Sequence, residues 1–255
     1  KELGCADMNR SDFFQTWSHL HGGAKISGIV KGWLTISFNI AKLLEKLRIS
    51  PNAITLLGLV FAVLTSINSE TLLAALFLVL SLASDGVDGS LAIIKGEISR
   101  RGAILDAIVD RISEGFWALT FYYLGAPLWI LLIAWLAAFT QEYVRARAGG
   151  LGLREVGVVT IGERPIRASI LFIAIVANFL GLNYATALAT TWAILQVLSF
   201  TTVVRFAYKN IGKLPIQISN VTEKINNQAY GLFGGKEGRK WRKRRKKWRK
   251  RQWKT

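Results

Sequence analysis

The chain has 255 residues, of which 51% are hydrophobic and 19% are charged, and its formal net charge is +17. Such high hydrophobicity argues against an ordinary soluble domain, and such a charge argues against a chain that is apolar throughout. Most of the charge is confined to residues 236–255, which hold 13 Lys or Arg side chains and one acid and so account for +12 of the net charge. The sequence therefore predicts an apolar body with a basic tail. The single cysteine, Cys5, excludes an intramolecular disulfide and a cysteine-based zinc site.

The first fifty residues divide into two segments. Residues 1–26 are polar, and we interpret His19 and His21 as exposed polar residues rather than metal ligands, because no third or fourth ligand lies near them in the sequence. Residues 27–50 carry apolar side chains at near-helical spacing, with lysines between them. This pattern predicts an amphipathic helix in the membrane interface. A helix packed on a soluble partner is the alternative.

Apolar blocks of the length that a bilayer span requires fill the body of the chain. We predict six spans, at residues 53–69, 72–94, 103–124, 127–145, 166–182 and 185–207. The connections after the first, third and fifth spans carry no Lys or Arg, so the positive-inside rule places both termini in the cytoplasm. The predicted fold is an all-α, polytopic integral membrane protein of the cell membrane. Its six-helix membrane domain covers residues 51–210, and a cytoplasmic tail covers residues 211–255.

Four aspartates interrupt the second and third apolar blocks. Asp85 and Asp88 are three residues apart and Asp106 and Asp110 are four apart, so each pair lies on one helix face. A carboxylate at such depth costs several kcal/mol unless it is paired, solvated or bound to a cation. Oxygen ligands select a hard divalent cation, and the sequence predicts a site for two Mg²⁺ or Mn²⁺ ions that would also hold a phosphate or pyrophosphate. Buried pairing with basic residues such as Arg111 is the alternative.

The spacing of these residues matches a known motif. The stretches from Asp85 to Ala92 and from Gly102 to Asp110 resemble D-x-x-D-G-x-x-A-R, eight residues and then G-x-x-x-D-x-x-x-D, the motif of the CDP-alcohol phosphotransferase family. The resemblance extends over about residues 27–210 and leaves out the basic tail. It implies a nucleotide-binding set of Asn52, Thr55, Asp88, Gly89, Ala92 and Gly102.

The resemblance also implies a reaction. Members of this family transfer a substituted phosphate from a CDP-linked donor to an alcohol and release CMP, and they form homodimers. It implies metal ligands at Asp85, Asp88, Asp106 and Asp110. It further implies that Asp110 is the base that deprotonates the attacking hydroxyl, on the cytoplasmic side of the membrane.

One residue departs from the motif. Ile93 stands where the motif has an arginine that belongs to the nucleotide-binding region. The loss of that arginine leaves a catalytically degenerate family member as an alternative to an active enzyme.

Basic residues in the second cytoplasmic loop point to the acceptor alcohol. The spacing of four arginines resembles that in the prokaryotic family members that use inositol phosphate. These members make phosphatidylinositol phosphate or its archaeal ether-lipid counterpart. The four residues are Arg145, Arg147, Arg164 and Arg167. Arginine binds phosphate through bidentate hydrogen bonds, so we predict an acceptor-phosphate site with inositol phosphate as the favoured acceptor. Glycerol 3-phosphate, and hence a phosphatidylglycerophosphate synthase, is the near alternative. The arginines could also serve only to set topology or bind headgroups.

Two other classes of membrane protein also carry acidic residues within their apolar segments. An intramembrane prenyltransferase also uses aspartates with Mg²⁺, but its Asp-rich motifs are separated, and a transporter would show polar or broken spans elsewhere. In the tail, Trp241, Trp248 and Trp253 lie among basic residues. We interpret the tail as an anchor on anionic lipid headgroups, with solvated disorder or nucleic-acid binding as alternatives, and expect no nucleic-acid partner. The family resemblance further implies two partners, a donor lipid (CDP-diacylglycerol or CDP-archaeol) and a second copy of the chain.

Overall fold

A computed structural model describes residues 8–153 and 159–213, and all regular secondary structure within them is helical, as the sequence predicts. The helices are α1 (Arg10–Leu20), α2 (Gly28–Lys46), α3 (Pro51–Ile67), α4 (Leu72–Lys95), α5 (Arg100–Tyr123), α6 (Leu128–Gly150), α7 (Arg164–Phe179) and α8 (Ala185–Ile211). One compact unit extends to Ala207, and of a second unit, from Tyr208 onward, the structure describes the stretch to Lys213. Cys5 and the basic residues of 236–255 lie outside the described residues.

Local sequence signals set the ends of the helices that carry the aspartates. Ser50 accepts a hydrogen bond from the backbone N–H of Ala53 at 3.2 Å, and Pro51 occupies the first turn of α3. α4 ends at Gly96, whose φ of 63° is the left-handed conformation that glycine adopts without a steric cost. Ser99 then caps α5 by accepting a backbone N–H of its first turn. The chain therefore reverses between α4 and α5 in a few residues.

Helix α3 packs against both α4 and α5 and brings them together. Buried hydroxyl groups hydrogen-bond across these contacts, since Ser81 donates to the carbonyl of Gly58 at 2.9 Å and Ser66 donates to the carbonyl of Phe116 at 2.6 Å. Small and hydroxylated residues of this kind allow close approach of helices in an apolar environment. The main apolar cluster surrounds Trp117 and Trp192, each 1% exposed. The site is built on this packed group of helices.

A second apolar cluster attaches the N-terminal helices to the ends of α3 and α4. It includes Phe13 of α1, Phe38 of α2, Ile54 of α3 and Ile93 of α4. Only a polar segment was predicted over residues 1–26, so α1 is a finding of the structure. Its sequence signal is a capping asparagine followed by four aromatic or apolar residues on adjacent turns, Phe13, Phe14, Trp17 and Leu20.

Two described helices are long and apolar enough to cross a membrane, Leu72–Lys95 and Ala185–Ile211. A third span results if α2 and α3, which meet at a bend of 115°, are counted together. α3 and α7 have 17 and 16 residues, fewer than the ~20 that cross a bilayer core without tilt. The helices overlap all six predicted spans, and the count of six stays a prediction.

Candidate active site

Three of the four predicted metal ligands converge in one place. Asp85 projects from α4 and Asp106 and Asp110 from α5, and each offers a carboxylate oxygen within 4.8 Å of the others. All three side chains are half-buried. A set of carboxylate oxygens at this spacing fits a hard divalent cation such as Mg²⁺ or Mn²⁺. The donor chemistry of the site therefore agrees with the predicted metal.

Asp88 lies beside these three carboxylates and has a different partner. The Thr55 hydroxyl donates to Asp88 Oδ2 at 2.5 Å, and Asp88 is 6% exposed. A small cavity is lined by all four aspartates together with Thr55. Asp88 follows Asp85 by about one helical turn and so lies next to the site. The structure does not place its carboxylate oxygens in the group of three that lie within 4.8 Å of one another.

Arg164 supplies positive charge to the carboxylates. Its Nη1 lies 2.6 Å from Asp85 Oδ1 and also contacts Asp110, and its guanidinium lies over the ring of Trp117 at 5.2 Å. An opposite charge at this distance offsets part of the repulsion between the acids. Arg164 was predicted to bind acceptor phosphate. The structure places it on the carboxylates at the edge of the same cavity, and the acceptor role stays a prediction.

The other predicted arginines do not gather around the aspartates. Arg145 pairs with Glu142 at 2.8 Å and with Glu163 at 2.6 Å. Burial would raise the pKa of Glu163, but hydrogen bonds from Arg145 and Thr160 outweigh it and lower that pKa to about 2. Arg147 is exposed in the last turn of α6. Each of these arginines thus has its own environment.

Arg167 is buried within the helical bundle. It is 3% exposed, and its Nη1 lies 2.8 Å from Oε2 of Glu114, which is fully buried. Glu114 also lies 3.2 Å from Arg111, which in turn is 3.6 Å from Asp110. The sequence analysis missed Glu114, although it follows Asp110 by four residues and so lies on the same face of α5. This series of ion pairs links α7 to α5, the helix that carries Asp106 and Asp110.

A cavity of about 840 Å³ opens next to the carboxylates. It is lined by every residue of the predicted nucleotide-binding set, namely Asn52, Thr55, Asp88, Gly89, Ala92 and Gly102. A Cβ at Gly89 would meet nothing within 4 Å, whereas one at Gly102 would lie 3.1 Å from Ser99 Oγ. Gly102 therefore allows α5 to start close to its own cap, and at Gly89 the backbone is open to a ligand.

Ile93, which replaces the motif arginine, faces both this cavity and the second apolar cluster. It is 5% exposed and belongs to the cluster that contains Phe13 and Leu91. The position therefore contributes apolar packing between α4 and the N-terminal helices rather than a charge.

Carboxylates directed from two neighbouring helices into one cavity define a class of site that binds phosphates through a divalent metal. The sequence model of the CDP-alcohol phosphatidyltransferase family matches residues 48–204. The chain belongs to this family. The match leaves out α1 and α2.

Similar proteins carry related names. The chain is 32% identical over 178 residues to archaetidylinositol phosphate synthase of Aeropyrum pernix, covering 68% of this chain and 89% of that one. It is 32% identical to phosphatidylinositol phosphate synthase of Corynebacterium glutamicum, covering 69% and 84%. The crystal structure of the Mycobacterium tuberculosis phosphatidylinositol phosphate synthase with CDP-DAG bound superposes with a TM-score of 0.59 at 25% identity, covering 68% of this chain and 94% of that one. The same enzyme has been crystallised with manganese and citrate.

Proposed function

We propose that this protein transfers a phosphatidyl or archaetidyl group from a CDP-linked lipid to a phosphorylated alcohol, with release of CMP. The observation that carries the proposal is the convergence of Asp85, Asp106 and Asp110 within 4.8 Å beside a cavity lined by the nucleotide-binding motif. A site of this kind brings a metal-binding carboxylate set next to room for a nucleotide and a lipid headgroup. Membership of the family supports the same reaction.

The aspartates have different parts in this reaction. Asp85, Asp106 and Asp110, with Asp88 beside them, would hold one or two divalent ions. When bound, such ions neutralise the pyrophosphate and stabilise charge on the attacked phosphorus and on the leaving CMP. The Asp110 carboxylate takes the proton of the attacking hydroxyl as the new oxygen–phosphorus bond forms and the bond to CMP breaks.

Inositol phosphate is the acceptor we propose, and the names of the relatives in Aeropyrum pernix and Corynebacterium glutamicum support it. Arg145 forms an ion pair with Glu163 at 2.6 Å, and Arg164 follows Glu163 directly in the chain. A phosphate arriving there would compete with carboxylates for these guanidinium groups, and bidentate pairing favours the phosphate when it is doubly charged. Of the four predicted arginines, only Arg164 is among the residues that line the two cavities.

The membrane arrangement is part of the proposal. We place six spans on α3 to α8, with α2 as an amphipathic helix in the interface, since its 19 residues alternate lysines with large exposed apolar side chains. The positive-inside rule places the active site and both termini in the cytoplasm. The domain limits of 51–210 and 211–255, a homodimer and a tail that binds anionic lipid are proposed on the sequence alone.

CMP release by the purified full-length chain tests the reaction. The protein in detergent receives Mg²⁺ or Mn²⁺ and CDP-diacylglycerol, and inositol phosphate, glycerol 3-phosphate and serine are compared as acceptors. Asp110→Asn removes the base, and Asp12→Asn, in the exposed first turn of α1, is the matched control. We expect release with inositol phosphate that is lost in the first variant and retained in the second.

Other outcomes distinguish the alternatives. Release with glycerol 3-phosphate instead would identify a phosphatidylglycerophosphate synthase. If no acceptor supports release, even with an ether-lipid donor, the enzymatic proposal is wrong for the natural chain. Turnover gained in Ile93→Arg would then show that the replaced motif arginine is the defect of a degenerate family member.

A further inference from the structure

Helix α1 forms one wall of the large cavity beside the aspartates. Trp17, Leu20 and His21 line this cavity together with residues of the nucleotide-binding motif. The family match begins at residue 48, so these three residues lie outside the part of the chain that the family resemblance describes. The donor cavity of this protein therefore has a wall that the motif does not account for.

The position of α1 is fixed by contacts one to two turns before Trp17, on the same helix face. Phe13 is fully buried and its ring lies 5.3 Å from that of Phe38. Arg10 donates to the Asn39 side chain at 3.3 Å and lies over the Phe38 ring at 5.7 Å. Because this buried aromatic pair and hydrogen-bonded arginine hold the start of α1, Trp17 and His21, which continue the same face, meet the cavity in a defined orientation.

These contacts place the start of α1 close to the nucleotide-binding residues. Phe13 shares an apolar cluster with Ile54 in the first turn of α3 and with Ile93 and Ile94 in the last turn of α4. Those turns adjoin the nucleotide-binding residues. The apolar lining suited to lipid chains, Val79 and neighbouring residues, lies about four turns earlier in α4.

The chemistry of this wall suits a nucleotide. Among the lining residues that the structure describes, His21 is the only basic side chain, because Ile93 has replaced the motif arginine. The rings of Trp17 and His21 stack at a centroid distance of 3.9 Å and an angle of 16°. His21 Nδ1 lies 2.8 Å from the Trp17 carbonyl oxygen, which only accepts, so Nδ1 carries the hydrogen and Nε2 remains for a ligand.

We propose that the stacked Trp17–His21 pair on α1 contacts the nucleotide of the CDP-linked donor and contributes to its specificity, an inference that rests on the proposed function. A nucleobase stacks on aromatic side chains through its π face. His21 Nε2 supplies a polar contact in a cavity from which the motif arginine is missing.

Equilibrium dialysis with labelled CDP and Mn²⁺ tests this contact on the full-length protein without requiring turnover. His21→Ala and Trp17→Ala are expected to raise the Kd for CDP about tenfold, which corresponds to about 1.4 kcal/mol. His21→Phe keeps a ring and is expected to retain part of the affinity, as is Trp17→Phe. His19→Ala is the matched control, because His19 is exposed on the same helix and does not line the cavity.

The kinetic readout is a rise in the KM for CDP-diacylglycerol, with the acceptor KM unchanged. Unchanged CDP affinity in both alanine variants would overturn the inference, and so would an equal loss in the His19 control. Weaker binding of CDP-diacylglycerol with unchanged binding of CDP would also overturn it, because α1 would then contact the lipid. A chain that binds CDP but releases no CMP refutes the proposed function alone, and the affinity comparison still decides the role of α1.

Discussion

Replacing Glu114 by glutamine should destabilise the protein more than any single surface change. Glu114 is fully buried, and its two oxygens lie 2.8 Å from Arg167 and 3.2 Å from Arg111. Arg167 is itself 3% exposed, so Glu114→Gln leaves a buried guanidinium without its carboxylate. Breaking a buried ion pair by removing one partner costs about 3–5 kcal/mol. Glutamine has nearly the same volume, so no cavity contributes to this loss.

Thermal unfolding in detergent, followed by near-UV circular dichroism, measures the effect. At about 2–4 °C per kcal/mol for a chain of this size, the midpoint should fall by roughly 10 °C. Glu45→Gln is the matched control, because the Lys42–Glu45 pair at 3.1 Å is about one quarter exposed and such pairs contribute about 0–1 kcal/mol.

A double variant separates the charge effect from lost packing. Arg167→Met in the Glu114→Gln background removes the unpaired charge and should recover most of the lost stability, since apolar replacement of a complete buried pair is often neutral. A loss below about 1 kcal/mol in the single variant, or a double variant no more stable than the single one, would refute the reasoning.

Changes at three other positions test packing, electrostatics and hydrogen bonding near the site. A Cβ at Gly86 would lie 2.7 Å from the Trp33 ring, so Gly86→Ala should lower stability by about 1–3 kcal/mol in the same unfolding assay. The pKa of Glu163 is lowered from 4.5 to about 2, so its contribution is present above about pH 4.5 and is lost as the pH falls towards 2. Glu163→Gln should therefore lower the midpoint at pH 7 and match the wild type at pH 2. Thr55→Val removes the 2.5 Å hydrogen bond to Asp88, and a loss of about 1.5 kcal/mol should raise the KM for the CDP-linked lipid on the order of tenfold.

Each of these changes has a matched control elsewhere in the chain. Gly149→Ala places a Cβ in open space on a helix and should not destabilise the protein. Glu97→Gln removes a carboxylate that is 48% exposed and should not alter the pH dependence. Thr202→Val, on the exposed side of α8, should leave the donor KM unchanged. Equal effects in a variant and its control would contradict the corresponding explanation.

The sequence was sufficient to predict the helices that carry the aspartates. Apolar periodicity, Ser50-Pro51 before α3 and Gly96 after α4 are local signals, and each is read within a few residues. The spacing of four residues, which is also a local signal, predicted that Asp106 and Asp110 share a helix face. It could not show that Asp88 turns to the hydroxyl of Thr55, which lies 33 residues earlier, because that hydrogen bond depends on how α3 packs against α4.

The N-terminal segment shows where local patterns were insufficient. Its composition is polar, and the sequence analysis assigned it no role in the site. Packing of Phe13 against Phe38 brings Trp17 and His21 to the cavity, and this pairing joins residues 25 positions apart. Composition averages over a segment, whereas a single buried aromatic residue is enough to fix a short helix on its neighbours.

By itself the sequence determined the chemistry of this protein, since the four aspartates, the glycines between them and the apolar helices are set by residue identity and spacing. Only the tertiary structure decided which charges meet. It paired Arg164 with Asp85 and Asp110, and it buried Arg167 against Glu114, although both arginines had been predicted to bind the acceptor phosphate. The physical reason is that an ion pair depends on distance in space, and helices far apart in the sequence set that distance when they pack.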